Sequence, residues 1–129
     1  KKTSKGFYLH KAKEKWPNRQ VYGLLSQGPA AKLSDKEILN RMLSRMVKEA
    51  KICLEEKVCN EPSDVDIGMI MGIGFPPFKG GLLRDADSLG TERIVSDLER
   101  FKDAFSQERF VPCGYLTELG NKKSAFYNV

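Results

Sequence analysis

The stretch Gly72-Ile73-Gly74-Phe75-Pro76-Pro77-Phe78-Lys79-Gly80-Gly81 holds four glycines and two adjacent prolines. Proline fixes φ and removes an amide donor, while glycine favours turns over regular elements, so neither helix nor strand can run through it. The fold must therefore be assembled from segments on either side of a shaped loop.

Those segments have a helical period. Ser34-Asp35-Lys36-Glu37 offers a capping box, a hydroxyl for an orphan amide with Glu37 reaching back. Beyond it Ile38, Leu39, Met42, Leu43, Met46, Val47, Ala50, Cys53, Leu54 and Val58 recur in steps of three and four, with Arg41, Arg45, Lys48, Lys51 and Glu55 on the other face. This predicts an amphipathic helix of about 24 residues, roughly 36 Å long. Asn60-Glu61-Pro62 stops it, and Ser63 with Asp66 is expected to cap a shorter helix carrying Val65, Ile67, Met69 and Ile70. After the loop, Leu82 to Leu89 reads as a short helix closed by Gly90. Thr91 reads as the cap of another, with Ile94, Val95, Leu98, Phe101 and Phe105 on its apolar stripe, and a last helix is expected from Cys113 to Leu119, ended by Gly120.

No segment shows sustained period-two alternation, so the expectation is an all-α domain over residues 34–129, with residues 1–33 as an irregular linker arm from a preceding domain. The arm carries breakers at Trp16-Pro17-Asn18 and Gly28-Pro29, and its aromatics Phe7, Tyr8, Trp16 and Tyr22 imply that it packs on something. A start at Lys1 without an apolar signal region reads as a fragment.

The net charge of +5 raises the question of a nucleic-acid partner, and its distribution answers it. Residues 1–20 hold seven basic side chains against Glu14, leaving the remainder at −1, so the helical body has no basic excess to follow a phosphate backbone. The excess reads as a solvated basic linker. No apolar run reaches the roughly 18 to 20 residues of a membrane helix. Cys53, Cys59 and Cys113 lack zinc-ligand spacing, and a six-residue helical separation points the first two in different directions, so free thiols in a reducing compartment are expected.

Candidate chemistry is sparse. Gly72-Ile73-Gly74 matches half of the dinucleotide fingerprint G-x-G-x-x-G, but Pro77 stands where the third glycine belongs, and a helix precedes it instead of a strand. His10, the one histidine, lies in the basic arm without a plausible catalytic partner. Asp85 and Asp87 are two apart and share no helix face, which reads as capping and surface charge. No catalytic residue and no metal ligand is assigned. The methionines Met42, Met46, Met69 and Met71 gather in the first two helices, either as core or as an apolar docking face. Lys1-Lys2-Thr3-Ser4-Lys5-Gly6-Phe7-Tyr8 is echoed, two residues shorter, by Lys122-Lys123-Ser124-Ala125-Phe126-Tyr127. A true echo makes the front piece the tail of a preceding copy of the same domain.

The loop with Arg84, Asp87, Ser88, Leu89 and Gly90 resembles the GIGFPPF-x-GG…R-x-x-D-S-x-G signature of the 3-hydroxyacyl-CoA dehydrogenase C-terminal domain family. Lys5-Gly6-Phe7-Tyr8 resembles the run that joins two tandem copies of that domain in multifunctional β-oxidation α subunits, and Ile38-Leu39-Asn40-Arg41 resembles a family helix start. The resemblance implies a 6-phosphogluconate-dehydrogenase C-terminal-like helical fold and a role as the second copy, which packs against the first and imitates the partner subunit of dimeric dehydrogenases. It implies a parent with enoyl-CoA hydratase and NAD-dependent 3-hydroxyacyl-CoA dehydrogenase activities, its catalytic dyad and NAD site in a Rossmann domain and no cofactor on this chain. It further implies acyl-CoA as the parent's substrate, a thiolase subunit as partner, and a bacterial cytoplasmic setting, or a mitochondrial or peroxisomal matrix in a eukaryote. By motif, Asn40 is its substrate-proximal residue. A fragment freed from its sister copy is expected to form a weak homodimer.

Overall fold

The computed structural model describes residues 5–24, 33–105 and 108–127. Lys1 to Ser4 of the front echo, the Gly28-Pro29 breaker and the Phe105 side chain lie outside the described residues. The chain divides into two compact units, Lys1–Leu33 and Ser34–Val129.

The first unit corrects the expectation of an irregular arm. Strands β1 (Tyr8–Lys11) and β2 (Glu14–Pro17) form an antiparallel hairpin with Leu9 opposite Trp16 and His10 opposite Lys15, followed by a 3-10 helix at Arg19–Leu24. Asn18, buried within this unit, ties it together by donating its side-chain amide to the Gly6 carbonyl at 2.8 Å and its backbone amide to that of Phe7 at 2.9 Å. The strands are too short to register as an alternating pattern. Their two-residue connection also has Ala12 at φ 55° in place of the glycine or asparagine that usually marks such a turn.

The second unit is helical among its described residues: α1 (Asp35–Glu55), α2 (Pro62–Ile73), α3 (Leu82–Leu89), α4 (Thr91–Phe105) and α5 (Gly114–Asn121). The all-α reading of this part holds. Helix α4 is the hub, packing against α1, α3 and α5, while α2 packs against α3. Leu83, Leu98 and Leu116 are fully buried, and Val47, Leu82, Ile94 and Phe101 complete the centre. At roughly 1.5–3 kcal/mol for each large apolar side chain removed from water, these residues supply much of the unit's favourable burial.

Helix ends follow the local chemistry, with five departures from expectation. Ser34 caps α1 by accepting the Glu37 amide at 3.2 Å, but the Glu37 carboxylate pairs with Arg100 at 3.1 Å and does not reach back. Helix α1 closes three residues before Val58, because Lys57 takes a left-handed φ of 57° and Val58 N donates to Cys53 O at 2.9 Å, a Schellman ending. Val58 is left exposed. Helix α2 begins at Pro62 and its start is capped by Asp64, whose carboxylate accepts the Glu61 amide at 3.1 Å; neither Ser63 nor Asp66 performs that task. Thr91 is the first helical residue of α4 and spends its hydroxyl elsewhere. Gly120 lies inside α5, where a Cβ would come within 2.9 Å of Val95 Cγ2, so it permits close helix contact and does not end the helix.

Candidate functional site

The glycine-proline loop turns the chain from α2 into α3. Gly74 ends α2 at φ 72°, with its amide on the Ile70 carbonyl and that of Phe75 on Met69, the left-handed ending that glycine adopts at least cost. Phe75 then enters the core. Pro77–Lys79 makes one 3-10 turn, with Pro76 directly before it, and Phe78 points outward at 87% exposure. Gly80 and Gly81 follow at φ 79° and 117°.

Gly81 explains the loop. A Cβ there would overlap the Cβ and Cγ of Asp66, a residue only 3% exposed. Asp66 projects from α2 onto the first turn of α3, where Oδ1 accepts the Leu83 amide at 2.6 Å and Oδ2 accepts the Arg84 amide at 3.1 Å. A carboxylate at that end satisfies two orphan amides and meets the positive end of the helix dipole. Asp66 Oδ2 also accepts the Tyr127 hydroxyl at 2.7 Å. The Arg84 guanidinium lies 3.7 Å from the centre of the Tyr127 ring.

Asp87, one turn along α3, grips the same tail. Its two oxygens accept the backbone amides of Phe126 at 2.8 Å and Tyr127 at 3.0 Å, and the Thr91 hydroxyl donates to the Ser124 carbonyl at 2.8 Å. The reading of Asp87 as surface charge is thereby corrected, whereas Asp85 does pair with Lys79 near the surface at 2.9 Å. Burial, then the hydrogen bond to Asp66, pushes the Tyr127 phenol far above its ordinary pKa, with Arg84 pulling the other way. The phenol stays protonated and remains a donor.

Asn40 is not part of this clamp. It lines a crevice between α1, α3 and α4, together with Ser44, Asp85, Arg93 and Asp97, that offers about 10 Å³, room for about one water molecule. Its side-chain amide donates to Asp97 Oδ2 at 3.3 Å. The signature thus disperses: Phe75 goes to the core, Phe78 to the surface, Arg84 and Asp87 to the tail.

The residues do not fit a dinucleotide. Gly72 and Gly74 lie at the carbonyl end of α2, which repels phosphate, and the Gly74 amide is already bonded within the helix ending. The opposite site, the N-terminus of α3, is filled by the Asp66 carboxylate. His10 lies exposed on β1 in the other unit.

A larger opening separates α1 from α2, an apolar groove of about 500 Å³ lined by Met46, Cys53, Cys59, Val65, Met69 and Ile73 among others. Cys53 and Cys59 therefore share one groove; the chain reversal at Lys57 overrides the helical direction that separated them in the sequence reading. All three cysteines are free thiols. Met46 and Met69 pack against the core, whereas Met42 and Met71 are 58% and 81% exposed. No helix among the described residues is long and apolar enough to cross a membrane.

A helical bundle whose glycine-proline turn is locked by one buried carboxylate, and whose tail is held by another, defines the class of domain. The chain belongs to the 3-hydroxyacyl-CoA dehydrogenase C-terminal domain family, whose model matches residues 38–125. It is 43% identical to the fatty acid oxidation complex subunit alpha of Shewanella loihica, over 98% of this chain and 18% of that protein. With the corresponding subunit of Vibrio vulnificus it shares 41% identity, over 99% of this chain and 18% of the relative. The chain thus spans about a fifth of the length of these relatives. Among solved structures, M. tuberculosis FadB2 superposes with a TM-score of 0.60 at 21% identity, covering 71% of this chain and 33% of that one, which shows a shared fold.

Proposed function

We propose that this chain is a packing and pseudo-dimerisation domain of a longer fatty-acid β-oxidation enzyme, one that hydrates enoyl-CoA and oxidises L-3-hydroxyacyl-CoA with NAD. The observation that carries the packing role is the apolar surface of α2: the groove it forms with α1, which Ile73 lines, and the exposed Ile67 and Met71 on the same helix. An apolar face of that kind marks an interaction surface. In the longer protein its occupant is a preceding helical copy, next to a Rossmann domain that holds NAD and the catalytic dyad. A thiolase subunit completes the assembly, in a reducing bacterial cytoplasm, a setting supported by the three free thiols and by the Shewanella and Vibrio relatives. Separated from its parent, the chain pairs weakly with a second copy through the same face.

One observation favours a purely structural version of this role, without substrate contact. The Asn40 amide is already engaged with Asp97 and faces a crevice the size of a single water. The test uses the isolated chain and the longer protein together. The chain alone should form no NADH from 3-hydroxyacyl-CoA, and Met71→Lys should leave its melting unchanged while shortening the thermal half-life of dehydrogenase activity in the longer protein. NADH formation that survives repurification, or an unchanged half-life, overturns the proposal.

A further inference from the structure

The tail clamp recognises a short pattern. Thr91 and Asp87 hold the main chain, at the Ser124 carbonyl and the amides of Phe126 and Tyr127, so they are indifferent to most side chains. Selectivity lies in the ring pair. Phe126 packs against the core, and position 127 must supply both a ring for Arg84 and a hydroxyl for Asp66. The clamp thus reads Phe-Tyr, and phenylalanine at the second position would forfeit the bond to Asp66.

Phe-Tyr occurs twice in this sequence, at Phe126-Tyr127 and at Phe7-Tyr8. Each pair follows a small residue, Ala125 or Gly6, and a lysine pair lies shortly upstream, Lys122-Lys123 or Lys1-Lys2. The residues that repeat are the ones gripped at the back. At the front their own unit uses the Gly6 and Phe7 carbonyls and sets Lys15 Nζ 5.7 Å from the Tyr8 ring centre, but leaves the ring pair largely in solvent, Phe7 74% and Tyr8 49% exposed. Lysines beside the front pair also complement a clamp built on two carboxylates.

We propose that Gly6-Phe7-Tyr8 is a second tail peptide, made to be held by a clamp of the Asp66, Arg84 and Asp87 kind on another helical domain of this class that precedes this chain in the longer protein. The partner presents two carboxylates and a guanidinium, one carboxylate for the backbone amides of Phe7 and Tyr8 and one for the Tyr8 hydroxyl. The segment covalently links the two domains and also completes the first. This rests on the reading of the chain as part of a tandem, and adds the chemistry by which the front segment is held.

Two experiments test it. In the isolated full chain, Ser124-Ala125 is replaced by Thr-Ser-Lys-Gly, so that the tail reads as the front segment does. The graft should melt within about 3 °C of the unaltered chain, and Asp87→Ala should lower its melting temperature as much as it lowers that of the unaltered chain. A graft that melts as low as Tyr127→Ala overturns the proposal. In the longer protein, Tyr8→Ala should lower the melting of the preceding domain by about 5 °C or more, with Tyr8→Phe giving part of that shift, while Tyr8→Ala leaves the isolated chain unchanged. Insensitivity of the longer protein, or an equal shift in the isolated chain, overturns it. If the graft or Tyr8→Ala gives the overturning result while Met71→Lys still shortens the half-life in the longer protein, the clamp proposal falls and the packing role stands.

Discussion

Replacing Asp66 by alanine should be among the most damaging single changes in the helical unit. Its carboxylate accepts the Leu83 amide, the Arg84 amide and the Tyr127 hydroxyl, at 2.6, 3.1 and 2.7 Å. Hydrogen bonds to a charged group contribute about 1.5–3 kcal/mol each, but three that share one carboxylate do not add. Because Leu83 is fully buried, water gains poor access to its stranded amide, while the more exposed Arg84 amide can be partly rehydrated. The expected loss is about 3–5 kcal/mol, which for a unit of this size lowers the melting temperature by roughly 15–30 °C. Asp66→Asn, which keeps one acceptor oxygen, should fall between. Asp64→Ala removes only an exposed cap on the same helix and should cost about 1 kcal/mol. Thermal unfolding of the isolated chain followed by circular dichroism reads all three. If Asp66→Ala melts within about 3 °C of the unaltered chain, the carboxylate is not the lock between α2, α3 and the tail.

The loop glycines should be graded by geometry in the same assay. Gly81→Ala combines a φ of 117° with overlap onto Asp66 and should cost roughly 2–5 kcal/mol, whereas Gly74→Ala, at φ 72° in open space, should cost about 1 kcal/mol. Equal losses at the two positions would refute the close approach of Gly81 to Asp66. The tail makes a prediction in alkali. A raised Tyr127 pKa means that the folded state holds its proton where the unfolded chain releases it, so this contribution is complete below about pH 10 and is lost as pH rises through the folded value. Denaturant titrations above pH 10 should show stability falling less steeply in Tyr127→Phe than in the unaltered chain; parallel slopes would contradict the assignment.

Much of the helical unit was legible in the residues because helix period and glycine-proline breaks are local signals. The Ser34 cap, the burial of Val47, Leu98 and Phe101, and the loop that precedes α3 all follow from spacings of a few residues. What escaped is tertiary. Asp66 resembles a cap for its own helix, and its partners lie 17, 18 and 61 positions away, a separation that no window on the sequence spans. The one available signal was the Gly80-Gly81 pair, since a second glycine beyond the turn marks a close backbone approach. Cys53 and Cys59 were separated by assuming an unbroken helix, and the lysine at φ 57° that reverses the chain between them carries no turn signature. The hairpin of the first unit was missed for a related reason, as its turn also uses a residue that seldom adopts positive φ.

The central claim is that the signature residues hold the domain together and take no part in chemistry, and Asp87→Asn in the longer protein tests it most directly. Melting temperature and steady-state dehydrogenase kinetics are measured on the same preparation, with kcat expressed per folded molecule. The carboxylate that binds the Phe126 and Tyr127 amides should, once neutralised, lower the melting temperature by about 5–10 °C while kcat and KM stay within about twofold. Unchanged melting with a hundredfold fall in kcat would contradict the account and assign Asp87 to the reaction.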